Sequence, residues 1–326
     1  MTVYDLDSAT LATTYDTLSD SQFKRGSELI ERLHIDQSDV VLDVGAGTGR
    51  LGLWVLKNKL GATGSKLIGI DPLEERIKLA ERKNTFPNGK FLVGSAEDLS
   101  FLEDRTVDVA YLSAVFHWVP NREKALSEIL RVLKPGGKIG ITTGAKELAN
   151  ETVIRKTLDR VLAGPKYRDR VNPNDYVSSK QGTTATELIK LLSDAGFELD
   201  EVAVRRNSTY HESGTLLVDF LESSTFGNFL VHVPEELRPS ARAEYIQALD
   251  AIGQGKGISS VGFGISAVAR RSFDLGLPAC NQRQGCGQGE ELVSLAGLRT
   301  RDSPGAWRLQ ATGRNPAGIL GLISEA

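Results

Sequence analysis

The sequence predicts an α/β fold with helices on both faces of a sheet, and three observations predict it. Residues Val40 to Val44 form a short, nearly continuous apolar strand of the kind buried on both faces, and it opens through Gly45, Gly47 and Gly49 into a helical stretch. A second strand, Lys66 to Asp71, ends on an acid about twenty residues beyond those glycines. Helical spacing at Leu126, Ile129, Leu130 and Leu133 then runs into the turn Lys134 to Gly137 and a further strand, Lys138 to Thr143.

The elements follow in order. Residues 1–35 read as helical, with Leu18, Phe23, Leu29, Ile30 and Leu33 as apolar positions. After the first strand, Arg50 to Leu60 is a helix. Asp71 before Pro72 is an ordinary helix start, so an N-cap role stands beside any functional one. Phe91 begins a third strand that runs into Ser95, Ala96 and Glu97, and Val107 to Ser113 is the fourth. Residues 146–183 form an insertion with a charged helix, Glu151 to Leu162, and a polar loop. Thr186 to Asp194 is a helix and Phe197 to Arg205 the sixth strand. A second insertion, 212–257, has apolar periodicity at Leu216, Leu217, Phe220, Leu221, Phe226, Phe229 and Leu230, then a helix around Ala241 to Ile252. Ile258 to Arg270 alternates as the seventh strand. From about Phe273 lysine vanishes, glycine is frequent and no period is sustained, which predicts a disordered or foreign tail, 273–326.

The glycine loop points to a nucleotide. Its two-residue spacing departs from the Gly-x-Gly-x-x-Gly of dinucleotide binders, and no Lys-Ser or Lys-Thr pair follows to reach a triphosphate. A glycine-rich turn of this kind can also be no more than a packing solution. Asp71 is placed for the two hydroxyls of an adenosine ribose, and the turn at Ser95 to Glu97 for the adenine edge.

Composition narrows the partners. With 326 residues, 25% charged and a formal net charge of −3, the chain has no overall basic excess to hold a nucleic-acid backbone. No apolar run reaches membrane-spanning length and residues 1–10 lack a signal-peptide pattern, so a cytoplasmic protein is expected. Both cysteines, Cys280 and Cys286, lie in the tail, which leaves the first 279 residues without a thiolate metal site, a cysteine nucleophile or a disulfide. No metal is expected.

Taken together, the loop, the acid at Asp71, the segment Ala114 to Trp118 after strand four and the run Arg131 to Gly137 resemble the class I S-adenosylmethionine-dependent methyltransferases over residues 36–145. The resemblance implies a Rossmann-like seven-stranded mixed sheet, order 3-2-1-4-5-7-6 with strand 7 antiparallel. It also implies a helical cap at 1–35 and substrate-capping insertions within 146–211 and 212–272. The cofactor implied is S-adenosylmethionine, held by Asp43, Gly45, Ala46, Gly47, Thr48, Gly49, Asp71, Pro72, Ser95, Ala96, Glu97, Ser113 and Trp118. Asp43 either reaches the cofactor's amino group or accepts N–H groups of the glycine loop. His117 is the candidate general base or substrate orienter, or else a wall of the pocket beside Trp118. Tyr15 either closes over the methionine end of the cofactor or packs between helices. His211 and His232 are placed to line the acceptor site or to be solvated, and His34 is structural. Arg50 and Arg76 read as surface charges. The acceptor implied is a small organic molecule, although Lys166, Arg168 and Arg170 form a local basic patch. Arsenite methyltransferases are similar in their cofactor domain but use core cysteines that this chain lacks. Two other readings remain at this stage: a nicotinamide-dependent dehydrogenase, and a binding module without catalysis.

Overall fold

The computed structural model describes residues 5–146, 152–172, 182–273 and the backbone of 306–309. Two helices come first, α1 (Ala9–Leu18) and α2 (Asp20–Leu33), divided at Ser19, which closes one and opens the other. The core then alternates β1 (Val40–Val44), α3 (Arg50–Asn58), β2 (Lys66–Asp71), α4 (Glu74–Lys83), β3 (Gly89–Val93), β4 (Val107–Ser113), α5 (Arg122–Val132) and β5 (Leu133–Gly144). Beyond it lie α6 (Val153–Leu162), α7 (Ala185–Asp194), β6 (Phe197–His211), α8 (Gly214–Ser224), α9 (Arg238–Gly253), β7 (Ile258–Arg271) and β8 (Ala306–Leu309).

The sheet order is β3-β2-β1-β4-β5-β7-β6-β8. Strands β1 to β5 pair in parallel, and β7 runs antiparallel to both β5 and β6. The expected order 3-2-1-4-5-7-6 is therefore present, with one addition. Strand β8 pairs antiparallel with Val202 to Arg205 of β6, inside the tail where no strand period is legible. A main-chain ladder on a sheet edge needs no side-chain alternation, so sequence pattern gives no warning of it. The remainder of the tail, both cysteines included, lies outside the described residues.

Strand order reverses between the parallel neighbours β1 and β4, with β2 and β3 added on one side and β5 onward on the other. In an open α/β sheet this switch point opens a crevice at the carboxyl ends of the strands. Leu42, Val44, Ala110 and Leu112 pack one face against Leu126 and Ile129 of α5 and Leu188 of α7. On the other face Val41, Val109 and Tyr111 meet Leu29 and Leu33 of α2 and Val55 of α3. Helix α2 lies unusually near the sheet, because a Cβ at Gly140 would stand 2.8 Å from Leu33 Cδ1.

Two departures from the sequence reading shape the site. Strand β6 continues to His211, paired residue by residue with β7 up to Ile258, although residues 205–211 are polar. Backbone pairing with β7 carries it past the point where apolar alternation ends. The two insertions also form one unit. Leu158 and Leu162 of α6, Leu217 and Val218 of α8, and Tyr245 and Leu249 of α9 share a third apolar core, with Phe229 between them. Its helices stand at the tip of the β6–β7 arm, above the crevice. The insertion residues 147–151 and 173–181 lie outside the described residues. Helix α7 begins one residue earlier than expected because Thr184 and Glu187 form a reciprocal capping box. Among the described residues, no helix is long and apolar enough to cross a membrane.

Candidate active site

A cavity of about 470 Å³ opens at the carboxyl ends of the strands, roofed by α1, α2 and α8. Its size falls within the ~300–1,000 Å³ range of small-molecule sites. Tyr15, Gly45, Gly47, Asp71, Pro72, Ser95, Ala96, Glu97, Ser113, His117 and Trp118 all line it.

The three loop glycines divide their work. Each has a positive φ: +77° at Gly45, +55° at Gly47 and +76° at Gly49. A Cβ at Gly45 would meet Val115 Cγ2 at 2.2 Å, and one at Gly49 would meet Ala80 Cβ at 2.8 Å, so these two serve close packing of the loop. At Gly47 a Cβ would meet nothing within 4 Å. The main chain there borders open cavity, which is where a ligand can approach it.

Asp71 is buried and anchors this arrangement. Its Oδ2 accepts the Gly47 N–H at 2.9 Å and its Oδ1 accepts the Leu73 N–H at 2.9 Å. The N-cap of α4 is Leu73, so Asp71 is not the helix cap that the Asp-Pro pair suggests. Each carboxylate oxygen carries two lone pairs, which leaves one on each oxygen for a pair of hydroxyls. Burial raises the Asp71 pKa, opposed first by Arg76 and then by the two N–H groups. Across the cavity the Ser95 hydroxyl donates to Glu97 Oε2 at 2.6 Å, and Glu97 Oε1 accepts the Asn121 N–H at 2.8 Å.

Four expected cofactor residues lie off the cavity. Asp43 sits beneath the glycine loop, where its Oδ2 would be 3.0 Å from a Cβ at Gly52 of α3. Asp43 Oδ2 and the Tyr111 hydroxyl are both buried and neither makes a well-formed hydrogen bond, although the hydroxyl lies near enough to stabilise the carboxylate. Burial pushes the Asp43 pKa up to about 7. The loop N–H group expected on Asp43 goes to Asp71 instead, because strand alternation points Asp43 away from the turn. Thr48 donates to Asp16 Oδ1 at 2.6 Å, tying the loop to α1. Ala46 is packed in the apolar core beneath the loop, and Gly49 against α4.

His117 follows β4 in a 3-10 turn, Phe116–Trp118, entered through Ala114 at φ +59°. The Ala114 N–H donates to Thr142 O at 3.0 Å, which holds this left-handed residue in place. His117 Nδ1 lies 3.3 Å from Thr143 Oγ1, and its ring centroid is 5.3 Å from that of Trp118. Burial, helped by Arg122 and Arg25, lowers its pKa to about 4. The imidazole is therefore neutral at pH 7 and weakly basic, which suits a positioning role better than proton removal. Between pH 4 and 6.5 the unfolded chain holds more protons at this position, so stability falls as pH drops through that window. In an NMR titration, the imidazole signal removed by H117N is expected to stay unprotonated down to pH 5. A midpoint between pH 6 and 7 would contradict this.

Arg76, which reads as a surface charge, is buried. Its Nη2 donates to Ser223 O at 2.6 Å and lies 3.3 Å from Asp7 Oδ1. Its Cζ is 4.6 Å from the Tyr15 ring centroid and 4.9 Å from that of Phe226. One side chain thus joins α4, α1 and α8. Tyr15 takes part in that packing and also lines the cavity, and burial raises its pKa, so its hydroxyl remains protonated. Arg50 joins Asp20 at 2.5 Å and stacks on Phe23, holding α2 to α3.

Three other arginines line the cavity: Arg25 and Arg32 of α2 and Arg205 of β6. The signal for Arg205 was alternation, since Arg205, Asn207 and Thr209 face the cavity while Val204 and Tyr210 are exposed. His211 stacks near Phe220 at 5.6 Å without lining the cavity, His232 lies in the loop between α8 and α9, and His34 ends α2 in a left-handed turn. The apparent basic patch is neutralised at its ends: Lys166 pairs with Glu244 at 3.0 Å and Arg170 with Glu236.

Known proteins are similar to this chain over parts of its length. Residues 42–141 match the methyltransferase domain family. An uncharacterized methyltransferase of Schizosaccharomyces pombe is 34% identical over 139 residues, covering 42% of this chain and 52% of the relative. An arsenite methyltransferase of Halobacterium salinarum is 27% identical over 209 residues, covering 63% of this chain and 47% of that protein. Among solved structures, a protein from Bacillus subtilis and a methyltransferase from Bacillus halodurans each align with a TM-score of 0.51. They cover 76% of this chain and 97% and 99% of their own, at 17% and 20% identity. Residues 42–141, which hold the glycine loop, Asp71 and His117, thus carry a methyltransferase domain. The chain spans only about half the length, or less, of the first curated relatives it matches, 41% and 52% in two of them.

Proposed function

We propose that this chain methylates a small organic acceptor at oxygen or carbon, using S-adenosylmethionine held along the edge formed by Gly47, Asp71 and Glu97. The observation that carries this reading is the open main chain at Gly47, fixed by the same Asp71 carboxylate that keeps a free lone pair on each oxygen. Bound there, S-adenosylmethionine supplies an activated methyl group on a sulfonium. Asp71 accepts the ribose hydroxyls, and Ser95, Ala96 and Glu97 border the adenine. Tyr15, Ser113, His117 and Trp118 wall the end where the acceptor meets the methyl group, and Phe226 packs at a tilt against Trp118, ring centroids 4.7 Å apart, to keep water out. Alignment of reactants alone can supply roughly 7–11 kcal/mol of the barrier, so a site without a strong base remains competent.

Acceptor size and type rest on several supports. Phe220, Leu221 and Phe226 of α8 give the far side of the cavity an apolar lining. The ion pairs at Lys166 and Arg170 leave little basic surface for a nucleic acid. The absence of cysteine from residues 1–279 argues against arsenic as the acceptor. Incubating the full chain with methyl-labelled S-adenosylmethionine and fractionated metabolite extracts is expected to give a labelled small molecule. Binding of the cofactor with no labelled product in any fraction would favour a binding module instead.

A further inference from the structure

The acceptor end of the cavity carries two arginines that make no ion pair within the protein, although the Glu28 carboxylate lies near Arg25, and this deepens the reading above, on which it rests. Of the cavity arginines, Arg76 meets Asp7 and Arg32 meets Glu201 at 3.2 Å. Among the described residues, Arg25 and Arg205 have no ion pair and no hydrogen bond within the protein, and Arg205 Nε is fully buried. Ser266 Oγ, also on the cavity wall, is buried and unpartnered too. Buried donors left without acceptors are costly in a folded protein, so a cluster of them points to an absent ligand that accepts.

The surrounding backbone leaves room for that ligand. Sheet register aligns Gly144 of β5, Gly264 of β7 and Arg205 of β6 in one row, on the face that α2 covers through Gly140. Two of the three positions in that row have no side chain; a Cβ at Gly144 would meet nothing within 4 Å, whereas one at Gly264 would meet Asn207 Nδ2 at 2.6 Å, so the open space lies over Gly144. Asn207 stands two residues along β6 on the same face. From above, Arg25, Glu28 and Arg32 share one face of α2 at i, i+3 and i+7, and all three line the cavity. Arg25 lies near enough to His117 to depress its basicity, which sets it at the end of the cavity where the acceptor meets the methyl group. Guanidinium groups present planar pairs of N–H donors that match carboxylate and phosphate oxygens. The opposite wall, with Phe220, Leu221, Phe226 and Phe263, is apolar.

We propose that the acceptor is an organic anion with an apolar body, its carboxylate or phosphate held between Arg25 and Arg205 over Gly144 of β5 and beside Asn207. Arg32 and Arg76 contribute little, since their charge is met within the protein.

The test titrates the full chain, saturated with S-adenosylhomocysteine, with hexanoate, hexyl phosphate and hexanamide, and with 3-phenylpropanoate against its amide, by calorimetry. At least one anion is expected to bind tenfold or more tightly than the uncharged partner, and the carboxylate and phosphate arms identify which group is preferred. R205Q and R25Q are each expected to remove the preference while S-adenosylhomocysteine binds within threefold of the parent, and R205K is expected to retain part of it. Equal binding of anions and amides, or a preference that survives both glutamine variants, overturns the proposal. Failure of S-adenosylhomocysteine to bind would count against the methyl-transfer reading, and the anion preference would then be measured on the chain alone and stand or fall separately.

Discussion

Replacing Asp71 by alanine is expected to weaken S-adenosylhomocysteine binding by more than a hundredfold. Two hydrogen bonds to a charged acceptor are worth roughly 1.5–3 kcal/mol each, and tenfold in affinity corresponds to about 1.4 kcal/mol. The variant also releases the Gly47 and Leu73 N–H groups, which lie 2.9 Å from the carboxylate oxygens, so the loop loses its anchor together with the ligand. D71N separates these effects in part, because its amide nitrogen must face one of two N–H donors and cannot satisfy both. Affinity of D71A within tenfold of the parent, measured by calorimetry, would show that the ribose lies elsewhere.

The second large effect is on stability. R76M removes the guanidinium that joins α4 to Asp7, to the Ser223 carbonyl and to the faces of Tyr15 and Phe226. It strands a buried carboxylate, since the Asp7 side chain is only 5% exposed. Breaking a buried pair in this way costs roughly 3–5 kcal/mol. At about 2–4 °C per kcal/mol for a chain of this class, Tm should fall by roughly 6–20 °C. R76K keeps a charge but not the planar stack or the fork, so it should recover only part of the loss. A change of less than 2 °C in R76M would contradict the role of Arg76 as the joint between the N-terminal helices and α8.

How far the sequence carries depends on what kind of signal each element leaves. Strands β1, β2 and β4 are buried on both faces and announce themselves by composition, as do the glycine turn and the acid at Asp71. The polar half of β6 does not, because its pairing is made by backbone groups and its side chains serve the cavity rather than the core. Arg76 is misread for a related reason. Nothing local distinguishes a buried arginine from a solvated one when its partners, Asp7, Tyr15, Ser223 and Phe226, come from distant segments. Asp43 fails differently: its place next to the glycines suggests a ligand role, but strand alternation turns it under the loop. The three glycines look equivalent in the sequence, and only the packing of Val115 and Ala80 shows that of the three Gly47 has open space where a Cβ would stand.

The central claim is that the cavity edge at Gly47 and Asp71 holds an adenosyl ligand. Calorimetric titration of the full chain with S-adenosylhomocysteine, beside NAD(H) and adenosine, tests it most directly. One equivalent of S-adenosylhomocysteine should bind to the parent, with no measurable binding to D71A and none of NAD(H) to either. Absence of binding to the parent, or equal affinity in D71A, would contradict the account.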